Sequence, residues 1–266
     1  SLMIQAFLCF NYVRTRRANY LLLLLMMIGV GFWVKSVATF LFIPGMLAYV
    51  LIFDWKLIPE SIKKYQFYLG LLICVGLIFG YVFIRDAYQP GYLDVVLQSN
   101  AKRYVHDLGH KNTWIYYIEN FMRGRFFWWL PFTVIGMVMA FFKRFKKNDL
   151  VVFATIMALA YLAMITGSKN KLAWYDMPFY PLAAVVSAST IHYFLQPMKS
   201  KLKAATLIAL FIFPLYQMFE KSQSNRLTLQ TMEHDAQEIY LYQASKREKN
   251  VDGLIVVHDH FNGSIL

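Results

Sequence analysis

The chain has 266 residues, 58% of them hydrophobic, with a mean hydropathy of +0.42 and a formal net charge of +12. A soluble domain cannot hide that much apolar surface, so a water-soluble enzyme or binding module is excluded. The basic balance invites a nucleic-acid reading, but the placement of the charges removes it.

The first element, residues 2–13, reads as a membrane span cut short at its start. It has no charged leading region and no small-residue cleavage site, so it is not a signal peptide. Residues 20–34, 37–53 and 67–84 follow as runs without a single Asp, Glu, Lys or Arg. A bilayer crossing takes about 20 apolar residues, with roughly 17 as the lower limit. Similar runs occupy 126–142, 150–166, 177–195 and 204–219, which makes eight expected spans. The prolines at 178 and 181 are expected to distort the start of the seventh. Cys9 and Cys74 both fall inside spans, where a thiol is a small apolar group, so neither a disulfide nor a metal framework is expected.

Loops sort into two alternating sets. One set, residues 14–17, 54–65, 143–149 and 196–203, carries 13 of the 27 Lys and Arg in about 32 residues. The other, at Lys35, 85–125, 167–176 and everything from Glu220 on, carries 14 spread over about 99 residues and 12 of the 15 acids. The dense set is expected on the cytoplasmic side, so the charge reports topology and no nucleic-acid partner. Residues 227–249 read as a polar helix and 253–259 as a short buried strand, the expected opening of an external α/β domain. The expected division is therefore a helical membrane domain over 1–219 and the beginning of an extracytoplasmic domain over 220–266.

Ionisable groups inside the spans are almost absent apart from His192, so no polar pathway across the bilayer is legible. Polar and aromatic residues gather instead in the 85–125 loop and the 167–176 turn, with Lys35 at the same external level. Arg103, His110, Lys111, Lys169, Lys171 and Lys35, interleaved with Trp and Tyr, suit an anionic site such as a lipid phosphate. The plain alternative is that each is a snorkelling Lys or Arg, or an interfacial Trp or Tyr, anchoring a helix end.

Three stretches resemble one family. Residues 32–44 (FWVKSVATFLFIP) look like the "TKG…P" helical hairpin of bacterial GT-C-type integral-membrane glycosyltransferases related to the lipid A aminoarabinose transferase and the protein O-mannosyltransferases. Residues 103–104 (RY), 109–117 (GHKNTWIYY) and 124–131 (GRFFWWLP) resemble its "R…H(K/R)xPxxYY…G..PW..lLP" stretch. Residues 168–181 (SKNKLAWYDMPFYP) are similar to its "S.gKlptYilPlyP" signature. Ser36 stands where glycine is common, Asn112 and Thr113 replace a small residue and proline, and Ala173 and Asp176 alter the third motif.

The resemblance, covering about residues 2–194, implies an all-α polytopic protein of a bacterial inner membrane. It also implies a glycosyltransferase that moves a sugar from a polyprenyl-phosphate donor to an extracytoplasmic lipid, glycan or protein. Lys111 beside His110 matches the family's basic residue near the donor phosphate, and Tyr175 matches its signature tyrosine; Lys171 and Arg103 carry over more weakly. The family's acidic residues lie ahead of the helix matching 2–13, so this stretch alone is expected to turn over no donor. No resident cofactor or metal is called for. A transporter or flippase of lipid-linked sugars, or a membrane protein without a site, are the other classes; a transporter should break helices or place polar groups at the midplane.

Overall fold

The structure, a computed structural model, describes residues 1–92, 113–122, 126–142, 149–169 and 171–229, apart from the side chains of 35, 173, 213 and 221–229. Among the described residues regular structure is helical, with no strand. The expected strand at 253–259 lies outside them.

The elements run α1 (Leu2–Thr15), α2 (Ala18–Lys35), a 3-10 stretch (Ser36–Phe42), α3 (Ile43–Asp54), α4 (Leu57–Ile62), α5 (Tyr65–Tyr88) and α6 (Tyr116–Asn120). They continue with α7 (Leu130–Phe142), α8 (Leu150–Gly167), a 3-10 turn (Ala173–Asp176), α9 (Phe179–Leu195) and α10 (Ser200–Leu229). Four stretches are long and apolar enough to cross a membrane: Ser36–Asp54, Tyr65–Tyr88, Leu150–Gly167 and Ser200–Glu220. Shorter apolar helices lie at Ala18–Val34, Leu130–Phe142 and Phe179–Leu195, and α1 has 14 residues. The chain is a helical membrane protein; four of the eight expected spans reach full crossing length among the described residues.

Two local departures from the expected runs have clear causes. The span expected over 37–53 opens as a 3-10 stretch, because Pro44 has no N–H to continue an α-helical ladder back to residue 40. The two later prolines do not distort α9. Pro178 is its N-cap and Pro181 its third residue, positions whose N–H would have no intrahelical partner anyway. At the start of α8 the Asp149 carboxylate caps the helix by accepting the Val151 N–H at 2.8 Å.

The chain divides into two compact units, Ser1–Pro197 and Met198–Leu266. In the first, α8 is the central helix, packed by α1, α3, α7, α9 and the Ser36–Phe42 stretch, with Phe153, Met157, Ala158 and Tyr161 buried. Lipid tails are as apolar as leucine, so helices in a membrane associate through close packing and small residues. Gly29 brings α2 against α5 so closely that a Cβ there would stand 3.0 Å from the Cys74 Cα. Between α7 and α9, the Thr133 and Ser187 hydroxyls hydrogen-bond at 2.6 Å beside Gly136. The second unit, in its described part, is α10, an apolar helix with exposed large side chains and Pro214 inside it. Position 219, the expected end of the membrane domain, falls within this continuous helix.

Candidate functional site

At the C-terminal end of α8 three separate stretches of chain meet. The first is Ser36–Phe42: the ring of Phe42 stands edge-on to that of Tyr161, with centroids 5.4 Å apart. The second is the turn after α8, whose Tyr175 carbonyl accepts a 2.5 Å hydrogen bond from the Tyr161 hydroxyl. The third is the segment around α6, where the Tyr117 hydroxyl donates to the Leu172 carbonyl at 3.4 Å. Phe121 stacks on Phe179 at 4.6 Å and meets Tyr180 edge-on at 5.8 Å. The rings pack edge-on or stacked, and the hydroxyls of Tyr117, Tyr161 and Tyr180 each keep a polar partner.

The turn between α8 and α9 carries buried polar groups. Lys171 is only 7% exposed, and its ammonium donates to the Ser168 carbonyl at 2.8 Å. That carbonyl belongs to the C-cap of α8, where cations offset the negative end of the helix dipole. Asp176 is fully buried and accepts from the Tyr180 hydroxyl at 2.8 Å. Burial pushes the Tyr117 phenol above its ordinary value, and neighbouring Tyr116, Tyr175 and Asp176 push it the same way.

The expected site residues fare differently. Tyr175 is half-buried and Lys171 buried within this gathering, whereas Lys169 is exposed on the same turn. Lys35 ends α2, directly before the Ser36–Phe42 stretch that packs on α8. Arg103, His110 and Lys111 lie outside the described residues; Tyr117, six positions beyond Lys111, is the described residue that touches the turn. Among the described residues no three His, Cys, Asp or Glu side chains are grouped as a metal site requires.

Sequence reasoning missed the central place of Tyr161, a lone phenol in an apolar run, and the burial of Asp176. For Asp176 a signal existed: it is a lone acid two positions before Pro178, where the chain departs from the signature it resembles. For Tyr161 there was only the presence of one phenol in a largely apolar stretch, and α9 carries Tyr193 in such a setting without burying it.

Ser36 adopts φ 48°, a conformation that favours glycine and that L residues rarely take, and its hydroxyl is buried without a hydrogen bond. Ser36 and Arg16 are the two non-glycine residues at positive φ among the described residues. Comparison with family models, with curated proteins and with solved structures found no match.

Proposed function

We propose that the chain is part of a glycosyltransferase that moves a sugar from a polyprenyl-phosphate donor to an acceptor outside the cytoplasm. The donor phosphate would sit at the C-terminal end of α8. One observation carries the reading: parts of all three stretches that resemble the family, Ser36–Phe42, the segment around α6 and the 168–181 turn, gather around Tyr161 and the turn that follows α8. Independent anchors at helix ends would have no reason to converge.

In such a reaction the bond from the anomeric carbon to the phosphate oxygen breaks as the acceptor oxygen attacks. The phosphate leaves with added negative charge, and the acceptor hydroxyl gives up its proton to a base. Fixed cations lower the barrier by matching that growing charge in a poorly hydrated place. Lys111 with His110 takes this role by the family's pattern, assisted by Arg103, Lys35 and Lys169, while the Tyr175 hydroxyl orients the phosphate. Lys171, already turned onto the α8 cap, holds the turn in shape and adds positive potential beneath it.

Sugar transfer from a radiolabelled polyprenyl-phosphate donor, measured with the intact protein in membranes, tests this. Lys111→Ala should lower the rate about 100- to 1000-fold, as loss of one stabilising donor does in comparable oxyanion sites. Lys146→Ala, in the dense basic set, should leave it unchanged. Equal rates for the two variants would remove the phosphate site from this place. Passage of intact donor across vesicles without sugar release would assign a flippase instead.

A further inference from the structure

At the other end of the first unit one arginine engages two acidic side chains. Arg16 caps α1 in a left-handed turn at φ 61°, which swings its guanidinium back onto Asp54 at the end of α3 and to within 3.4 Å of Glu60 in α4. Lys64 is drawn inward as well: its ammonium donates to the Arg16 carbonyl at 3.3 Å and lies 5.3 Å from the centre of the Tyr12 ring. The Tyr12 hydroxyl in turn bonds Ser61 at 2.6 Å. Arg16 thus pairs with both carboxylates of segments 14–17 and 54–65, while Lys64 is held by a backbone carbonyl and a tyrosine ring.

What remains is unbalanced. Arg14, Arg17, Lys56 and Lys63 are exposed and have no ion pair among the described residues. Lys56 and Lys63 are the two caps of α4, seven positions apart, or about 10 Å at the helical rise of 1.5 Å per residue. Arg14 and Arg17 flank the Arg16 that binds this helix. Beside them Ile52, Trp55, Ile62 and Tyr65 present exposed apolar and aromatic surface. Neither a solvated loop nor a site for free phosphate has a use for that wall.

We infer that this end of the bundle is a binding surface for anionic phospholipid, with headgroup phosphate held by Arg14, Arg17, Lys56 and Lys63 and acyl chains along the apolar side chains next to them. The Arg16 cluster assists, because its guanidinium pairs with both carboxylates that would otherwise repel phosphate. The inference does not depend on the sugar-transfer reading.

Native mass spectrometry of the intact protein in neutral detergent, given equal phosphatidylglycerol and phosphatidylcholine, is the test. Phosphatidylglycerol should be retained preferentially. A basic residue near an anionic surface adds about fivefold to affinity, so Lys56→Gln with Lys63→Gln should weaken retention about 25-fold. The charge-matched pair Lys199→Gln with Lys201→Gln should keep it, and Lys56→Arg with Lys63→Arg should restore it if the Gln pair also loses helix content. Equal retention of both lipids, or equal loss in the charge-matched pair, overturns the inference. Displacement of the lipid by millimolar glycerol phosphate would assign the surface to a free phosphate and overturn it too.

Discussion

Tyr161→Phe isolates the bond that holds the turn after α8. The substitution keeps the ring, and with it the edge-on contact to Phe42, but removes the hydroxyl that reaches the Tyr175 carbonyl at 2.5 Å. Tyr161 is 2% exposed, so water does not readily replace the lost donor. Leaving a buried acceptor unmatched costs about 1–3 kcal/mol, or roughly 5- to 150-fold in the local opening equilibrium. The turn's own backbone bonds, Tyr175 N–H to Leu172 at 3.0 Å and Tyr180 N–H to Met177 at 3.3 Å, report that opening. Hydrogen exchange followed by mass spectrometry should show the 172–180 amides exchanging faster by that factor, with helix α5 unchanged. Tyr216→Phe, at an exposed position on α10, should alter nothing in 172–180. If Tyr161→Phe leaves those amides at their original rates, the turn does not depend on Tyr161 and the convergence argument loses its anchor.

Other expectations follow from packing, strain and titration. Gly136→Ala places a Cβ against Thr190 and 2.7 Å from Val186, so it should lower unfolding free energy in mixed micelles by about 1–3 kcal/mol. Gly76→Ala, with nothing within 4 Å, should be neutral or stabilising by up to about 1 kcal/mol; the reverse order would refute the close α7–α9 approach. Ser36→Gly should stabilise by about 1–3 kcal/mol through relief of the positive φ, whereas Ser36→Ala keeps the strain. A thermal-stability comparison of the two separates backbone strain from the buried hydroxyl. The Tyr117 phenol holds its proton more tightly folded than unfolded, so its contribution is intact below about pH 10 and is lost as pH rises beyond it. Ultraviolet titration should show a late-ionising phenol component that shrinks in Tyr117→Phe; an unchanged late phase would place the Tyr117 phenol outside it.

The sequence by itself determined that this is a helical membrane protein and where most of its apolar runs begin and end. Runs such as 67–84, with no charge at all, have one stable home, because every backbone N–H and C=O must be paired inside the segment once water is gone. The breaks were legible for the same reason: Arg16, Asp54, Lys64 and Asp149 stand within two positions of helix ends because charges are costly anywhere deeper. Motif spacing also marked the 168–181 turn as a place apart.

Tertiary structure alone decided which of these pieces meet. Nothing in the pattern around Tyr161 distinguished it from Tyr193, since hydropathy records what a residue is and not which helix it faces. Only packing buried one phenol among Phe42 and the Tyr175 carbonyl and left the other exposed. Lys169 and Lys171 read alike in sequence, two positions apart, yet one is exposed and the other closes the end of α8. Likewise the left-handed turn at Arg16 carries a guanidinium back to Asp54 and Glu60, a pairing across about 40 positions that no local pattern shows. Local sequence fixes a helix because its bonds are local; a gathering of residues 42, 117, 161 and 175 depends on interactions across more than a hundred positions, which only the folded chain brings within reach.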